Sequence, residues 1–302
     1  MLRTIVAGCN GRDRGRGAVA LGHALVTATG ARLIVAGVQL DPPVPFQSYG
    51  TVHDALEHDL KTTRDALAPG ARVRVVPGFS PAQALVRVAE QTGADLIIVG
   101  TRQAHRARHL AGPDHAMQVL HGAGCAVAVV PETGATRITL RRIGVGLDDV
   151  PEARAALALA RDVARRSGAR LVLRTVVDDV IPGWIGLEGT AAYAGAHRTI
   201  VADRVEQARA HMQAQLAAIA TVPAEGDVVA GDPAHELIAL SGDVDLLGLG
   251  SRRWGAVRRL ALGSTSERVI RAADGPVLVP PRHARRSSGP AARRPGRDAV
   301  TR

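Results

Sequence analysis

The chain has 302 residues, 46% of them apolar and only 2% aromatic, so Val, Leu, Ile and Ala must fill whatever core it builds. No uninterrupted apolar run approaches the roughly 18–20 residues that span a bilayer, and two cysteines are too few for a disulfide framework or a zinc site. The formal net charge of +10 is concentrated at one end: residues 282–302 hold seven Arg and one Asp, leaving +4 for the rest. A nucleic-acid-binding body is therefore not expected, and the Arg-, Pro- and Ser-rich tail is expected to be disordered.

In chain order, the opening residues carry too short an apolar run for a secretory signal, which points to a cytoplasmic protein. Strand-like runs are predicted at Thr4–Gly8, Arg32–Val38, Arg72–Pro77, Asp95–Gly100 and Ala126–Val130. Helical patterns fall between them at Ala18–Thr29, Val52–Leu67, Pro81–Thr92 and His115–His121. The alternation then starts again, with strands at Ile143–Leu147, Arg170–Val177, Asp227–Ala230, Asp245–Gly250 and Pro276–Val279. Its helices are predicted at Pro151–Ser167, Arg198–Ala220, Pro233–Leu240 and Thr265–Ala273. Pro81, Pro151 and Pro233 stand where helices begin, the position proline tolerates best. The strands are continuous Val/Ile/Leu runs rather than alternating ones, as in parallel sheets covered on both faces. The fold class expected is α/β, with two tandem doubly wound parallel five-stranded sheets of Rossmann-like type. Cys9 and Cys125 lie beside strand-like runs and are expected to be small buried hydrophobes.

The two halves are copies of each other. ADLIIVGTR (Ala94–Arg102) returns as VDLLGLGSR (Val244–Arg252), and SPAQAL (Ser80–Leu85) as DPAHEL (Asp232–Leu237). TIVAGCNG (Thr4–Gly11) answers to RIGVGLDD (Arg142–Asp149), and CAVAVVP (Cys125–Pro131) to GPVLVPP (Gly275–Pro281). The offset grows from 138 to 152 residues between the first blocks, so the second copy carries an insertion, placed between Ile181 and Ala196. The expected domains are 1–134 and 138–281, followed by the tail, 282–302.

In an open parallel sheet, ligands bind beyond the carboxyl ends of the strands where strand order reverses. In the second copy this places Asp148 after the first strand and Gly250 after the fourth at the expected site. Gly263-Ser264-Thr265-Ser266 then opens the last helix. Gly263 allows close backbone approach, and amides at a helix N-terminus favour an anion, with hydroxyls as added donors. Asp148 is suited to accept from an adenine amino group or a ribose hydroxyl. The competing structural roles are helix capping by Ser264 and Asp148.

These residues, together with the duplication, resemble the universal stress protein family, in its tandem two-domain arrangement of actinobacterial type. The resemblance covers residues 1 to about 281. Nucleotide-binding members of that family carry Gly-x-x-Gly, nine residues, then Gly-Ser/Thr. Here the pattern is Gly250-Ser251-Arg252-Arg253, nine residues, Gly263-Ser264, with Arg253 in place of the second glycine. The resemblance implies that Gly146 and Leu147 lead into Asp148, which contacts the base, and that Val176 lines the base pocket. It also implies that Leu249, Gly250, Arg252, Gly263, Ser264, Thr265 and Ser266 surround ribose and phosphates. Where the family glycine needs φ > 0, Arg253 costs about 1–2 kcal/mol. Its guanidinium can offset that on a phosphate, so ATP binding is expected to be weakened rather than lost.

The first copy is expected to bind no ATP: Asn10 replaces the acidic residue, and Pro113 and Asp114 fall opposite Gly263 and Ser264. Gly144-Val-Gly146 opens like a dinucleotide fingerprint, but Asp149 stands where the third glycine belongs. His105 and His109 lack a third metal ligand, no nucleophile elbow appears, and Trp184 lies within the insertion.

The resemblance thus implies a cytoplasmic stress-response factor that is not an enzyme beyond slow hydrolysis. It would bind ATP, AMP or ADP as a regulatory ligand, with Mg2+ only alongside the nucleotide. The fifth strands are expected to pair the copies into an internal pseudo-dimer, itself able to form a homodimer. The alternative is an interaction or scaffold protein that binds no nucleotide and acts through its surfaces.

Overall fold

The computed structural model describes residues 1–11, 15–40, 49–101, 115–132, 137–179, 191–250 and 263–281. Arg252, Arg253, Pro113, Asp114, His105, His109, Trp184 and the tail lie outside the described residues.

The first half runs β1 (Thr4–Gly8), α1 (Arg16–Thr29), β2 (Arg32–Leu40), α2 (Tyr49–Leu67), β3 (Arg72–Gly78), α3 (Pro81–Thr92), β4 (Leu96–Thr101), α4 (His115–Gly122) and β5 (Ala126–Pro131). The second runs β6 (Arg142–Gly146), α5 (Pro151–Ser167), β7 (Arg170–Val177), α6 (Ala191–Ala218), β8 (Ala224–Ala230), α7 (Pro233–Asp243), β9 (Leu246–Leu249), α8 (Ser264–Ala272) and β10 (Val277–Val279). All ten predicted strands and eight predicted helices are present, with boundaries shifted by a few residues. The largest shift is in α6, which begins at Ala191, so the C-terminal part of the predicted insertion is helical.

Within each half the strands are parallel, in the orders β3-β2-β1-β4-β5 and β10-β9-β6-β7-β8. The fifth strands then pair antiparallel, Val129 opposite Val277 and Ala128 opposite Leu278, which joins the halves into one ten-stranded sheet. Side chains alternate along each strand and build two cores. Ile5, Ala7, Leu96, Ile98, Ala128, Ile143, Val145 and Leu278 pack on one face with α1, α2, α5 and α6. Val6, Ile97, Val99, Val127, Val129, Leu247 and Val277 pack on the other with α3, α4, α7 and α8. Both cores are continuous across the β5–β10 seam. Burial on both faces explains why these strands read as unbroken apolar runs. Cys9 is buried as expected, and burial pushes its thiol pKa up; Cys125 is only half-buried.

Local signals set the helix starts. Proline opens α3, α5 and α7, where a missing N–H costs nothing. Asp232 caps α7, its Oδ1 accepting from the Ala234 and His235 amides at 2.8 and 2.9 Å. Its Oδ2 accepts from Arg268 on α8 at 2.9 Å. The Arg268 hydrogen bond, followed by that from His235, holds the Asp232 carboxyl below its ordinary range.

Two outcomes follow from this packing. Leu278→Ala opens a cavity at the seam and should lower stability by about 2–5 kcal/mol in one cooperative urea transition; an unchanged midpoint would show that the seam is not sealed. A carboxyl with a depressed folded pKa stabilises above its unfolded value and loses that contribution as pH falls through the folded one. Asp232→Asn keeps the capping oxygen and removes the charge. Its denaturation midpoint should therefore lie below wild type at neutral pH and converge with it as the pH falls through the range where the folded carboxyl protonates; a gap that persists once that carboxyl is protonated rules out the charge as its source.

Candidate functional site

Strand order reverses between β6 and β9 in the second half, and the register places Gly146 beside Leu249 at their carboxyl ends. Gly144 and Gly146 lie within β6 and are closely packed. A Cβ on Gly144 would lie 3.0 Å from Val244, and one on Gly146 would lie 3.0 Å from both Leu237 and Leu249. Leu147 is buried, and its N–H donates to the Arg174 carbonyl on β7 at 2.8 Å. The chain then turns outward. Asp148 is exposed, its Oδ1 accepts from the Asp149 amide at 2.8 Å, and its carbonyl accepts from the Val150 amide at 2.8 Å. Asp149 pairs with Arg154 at 2.6 Å, a hydrogen bond that depresses its carboxyl pKa. Val150 is the N-cap residue of α5 and makes no side-chain bond there.

Beside this turn, β9 runs into Gly250. A Cβ there would meet Ala153 N at 2.7 Å and the Glu152 carbonyl carbon at 2.9 Å, so the backbone of α5 excludes any side chain. Gly263 caps α8 in extended conformation, and its carbonyl accepts from Glu267 at 3.0 Å. Ser264, Thr265 and Ser266 form the first turn, and Gly263, having no side chain, makes no side-chain cap bond to it. Ser264 is therefore the first helical residue and not the cap. Ser266 is buried, and its hydroxyl donates to the Gly250 carbonyl at 3.0 Å. That hydroxyl joins helix to strand, while Ser264 is exposed and Thr265 half-buried.

Gly146, Leu147, Asp148, Leu249, Gly250 and Gly263–Ser266 are thus gathered at one corner by the β6–β9 register and the Ser266 bond. Val176 is half-buried, one strand further out, and packs into the α7/α8 core. The amides of a first helical turn have no intrahelical acceptors, and the helix dipole adds a partial positive charge. Glu267 in the same turn opposes an anion, but it pairs with Arg271 at 3.0 Å.

A charged group next to this corner was not anticipated from the sequence. Arg174, opposite Gly146 in the register, has a side chain only 18% exposed. Its Nε and Nη2 donate to the two Asp227 carboxylate oxygens at 3.0 and 2.6 Å, a bidentate pair across β7 and β8. Its Nη1 donates to the Glu236 carbonyl at 3.4 Å and lies 3.8 Å from the Glu236 carboxylate. The Asp227 bond raises the guanidinium pKa further. Opposite charges in two predicted strands were the available signal, but only the register puts them face to face.

In the first half, Asn10 is exposed and the following Gly11 is clamped to α2. The Gly11 carbonyl accepts from buried Thr63 at 3.1 Å, and a Cβ on Gly11 would lie 2.4 Å from Asp59. Among the described residues, no group of three or more His, Cys, Asp or Glu side chains is arranged to hold a metal ion. Nor is any of their helices long and apolar enough to cross a membrane.

Known proteins resemble this chain in sequence and in fold. A universal stress protein of Mycobacterium tuberculosis is 26% identical over 267 residues, 84% of this chain and 87% of its own length. A universal stress protein of Mycobacterium bovis matches to the same extent. The crystal structure of a universal stress protein from Archaeoglobus fulgidus has a TM-score of 0.56 at 19% identity. That alignment covers 91% of this chain and 95% of that one, and at this identity the likeness is one of fold. The model of the universal stress protein family matches residues 1–131 and again residues 139–281. Matched twice, in two halves that share one sheet, the chain belongs to the universal stress protein family.

Proposed function

We propose that the second domain binds an adenine nucleotide, ATP foremost, as a regulatory ligand, and that the first domain does not. The observation that carries this reading is the convergence at one corner of a glycine-capped helix start with an exposed carboxylate. Ser264, Thr265 and Ser266 would offer main-chain amides to the phosphates, with the Ser264 and Thr265 hydroxyls beside them. Asp148 would accept from the base or the ribose, and Val176 would line the base. AMP and ADP are the alternative ligands of the same corner. Mg2+ would enter only with the nucleotide. The ligand shifts the balance between conformations or partner affinities by binding one state better than another. Hydrolysis in this reading is slow, and the protein acts in the cytoplasm as a stress-response factor.

A second reading, action through its surfaces without nucleotide, is favoured by one observation on the first domain. Leu40 ends β2 opposite Gly78 of β3, and Phe79 is the residue after that; the two are 58% and 78% exposed. Large apolar side chains exposed near one end of a sheet would serve such a contact.

Calorimetry with ATP and AMP separates the two readings. Wild type should bind one ATP per chain. Asp148→Ala should weaken binding about tenfold or more, the effect of removing a hydrogen bond to a charged group. Gly263 has φ −60°, a value proline adopts, so Gly263→Pro should fold and should lose ATP through the missing amide and added bulk. Absence of binding at millimolar nucleotide would overturn the nucleotide reading in favour of the surface one.

A further inference from the structure

The two halves share a fold but differ in the charge built beneath the corner. Gly8 pairs with Ala36 in the first half as Gly146 pairs with Arg174 in the second. Across from Ala36 stands Arg74, and across from Arg174 stands Asp227. The helix after the third strand has Ala84 four residues past its cap in the first half, and Glu236 in the same place in the second. One half therefore has Ala, Arg and Ala where the other has Arg, Asp and Glu. Arg74 turns away to Gln91, at 2.7 Å, and Ala36 and Ala84 are buried. The set that closes on itself occurs in the half with the glycine-capped α8.

Its location explains what it can do. Arg174 shares a face of β7 with Val172 and Val176, between α7 and the sheet. Its guanidinium ties β7 to edge strand β8 through Asp227 and to α7 through Glu236. Its own carbonyl takes the Leu147 N–H, the last ladder bond before the chain turns out at Asp148. Two residues on, Val176 stands at the end of the same strand. A fork held on two sides is rigid where a single ion pair is not, because two parallel bonds fix orientation as well as distance.

We propose that Arg174 is a positioning residue for the base side of the second domain's site, an inference that rests on the nucleotide reading above. Clamped by Asp227 and Glu236, it fixes the end of β7, so that its carbonyl holds Leu147 and sets where Asp148 and Val176 stand. The ligand part it serves is the adenine base, while the α8 N-terminus serves the phosphates.

Two variants test this: Arg174→Ala, which installs the residue of the first half, and Asp227→Asn, an exposed change that keeps the side-chain shape. The first readout is amide hydrogen exchange, which needs no ligand. Both variants should speed exchange at Leu147 by about tenfold or more, the scale of losing a charge-assisted support, and leave Ile5 in the first domain unchanged. Unchanged exchange at Leu147 in both overturns the positioning role. The second readout is calorimetry with adenosine and with ATP. Both variants should weaken the two ligands by the same factor, whereas Gly263→Pro should lose ATP and retain adenosine. Weakening of ATP alone would assign Arg174 to the phosphates and overturn the base assignment. A wild type that binds neither compound overturns the nucleotide reading and the base assignment with it. In that case the exchange comparison still decides whether Arg174 holds Leu147.

Discussion

The antiparallel pairing of β5 with β10 is the contact on which the rest of the molecule depends. Each domain alone would end its sheet in an apolar edge strand, with unpaired backbone groups and buried-type side chains facing water. Pairing Val127–Val129 with Val277–Val279 satisfies those groups and joins the small cores on each face of the two halves into two long ones. The seam also relates the halves by a local two-fold, so their carboxyl-end corners lie on opposite ends of the sheet. The two corners therefore lie apart and carry different residues.

The divergence is visible at particular residues. Gly100 stands next to the end of β4 and Gly250 directly after β9, but the turns beside them differ. After β1, Gly11 is pressed on Asp59 and bonded to Thr63, so α2 leans on the corner where Asn10 stands. After β6, residues 148–150 bond among themselves and leave Asp148 exposed. Gly250 is required by the approach of the α5 backbone, a structural need that would persist whether or not a phosphate binds. The serine run of α8 likewise divides its labour. Ser266 ties helix to strand, and Ser264 and Thr265 remain on the outer side of the same turn.

Charged groups tie elements together around the corner of the second half. The Arg174–Asp227–Glu236 set lies between sheet and helix, where a guanidinium that is mostly buried must be fully paired. The Asp232–Arg268 bond connects the cap of α7 to α8 on the solvent side, where such pairs contribute little individually. Its value is geometric, since α7 and α8 frame the corner from one face of the sheet.

Repetition, periodicity and punctuation by proline were enough to place every described element, because those signals act over a few residues. Unbroken Val/Ile/Leu runs meant parallel strands, Pro81, Pro151 and Pro233 meant helix starts, and the repeated blocks meant two copies. The Gly263–Ser266 run and Asp148 were legible as a candidate site because strand ends and helix starts are local features. What the sequence could not decide was which residues face each other across strands. Arg174 and Asp227 are 53 residues apart, and Ser266 and Gly250 are 16 apart. Whether such residues meet depends on register and on which face each side chain occupies. Both are set by the packing of the whole sheet, because a one-residue slip would send every side chain to the opposite core.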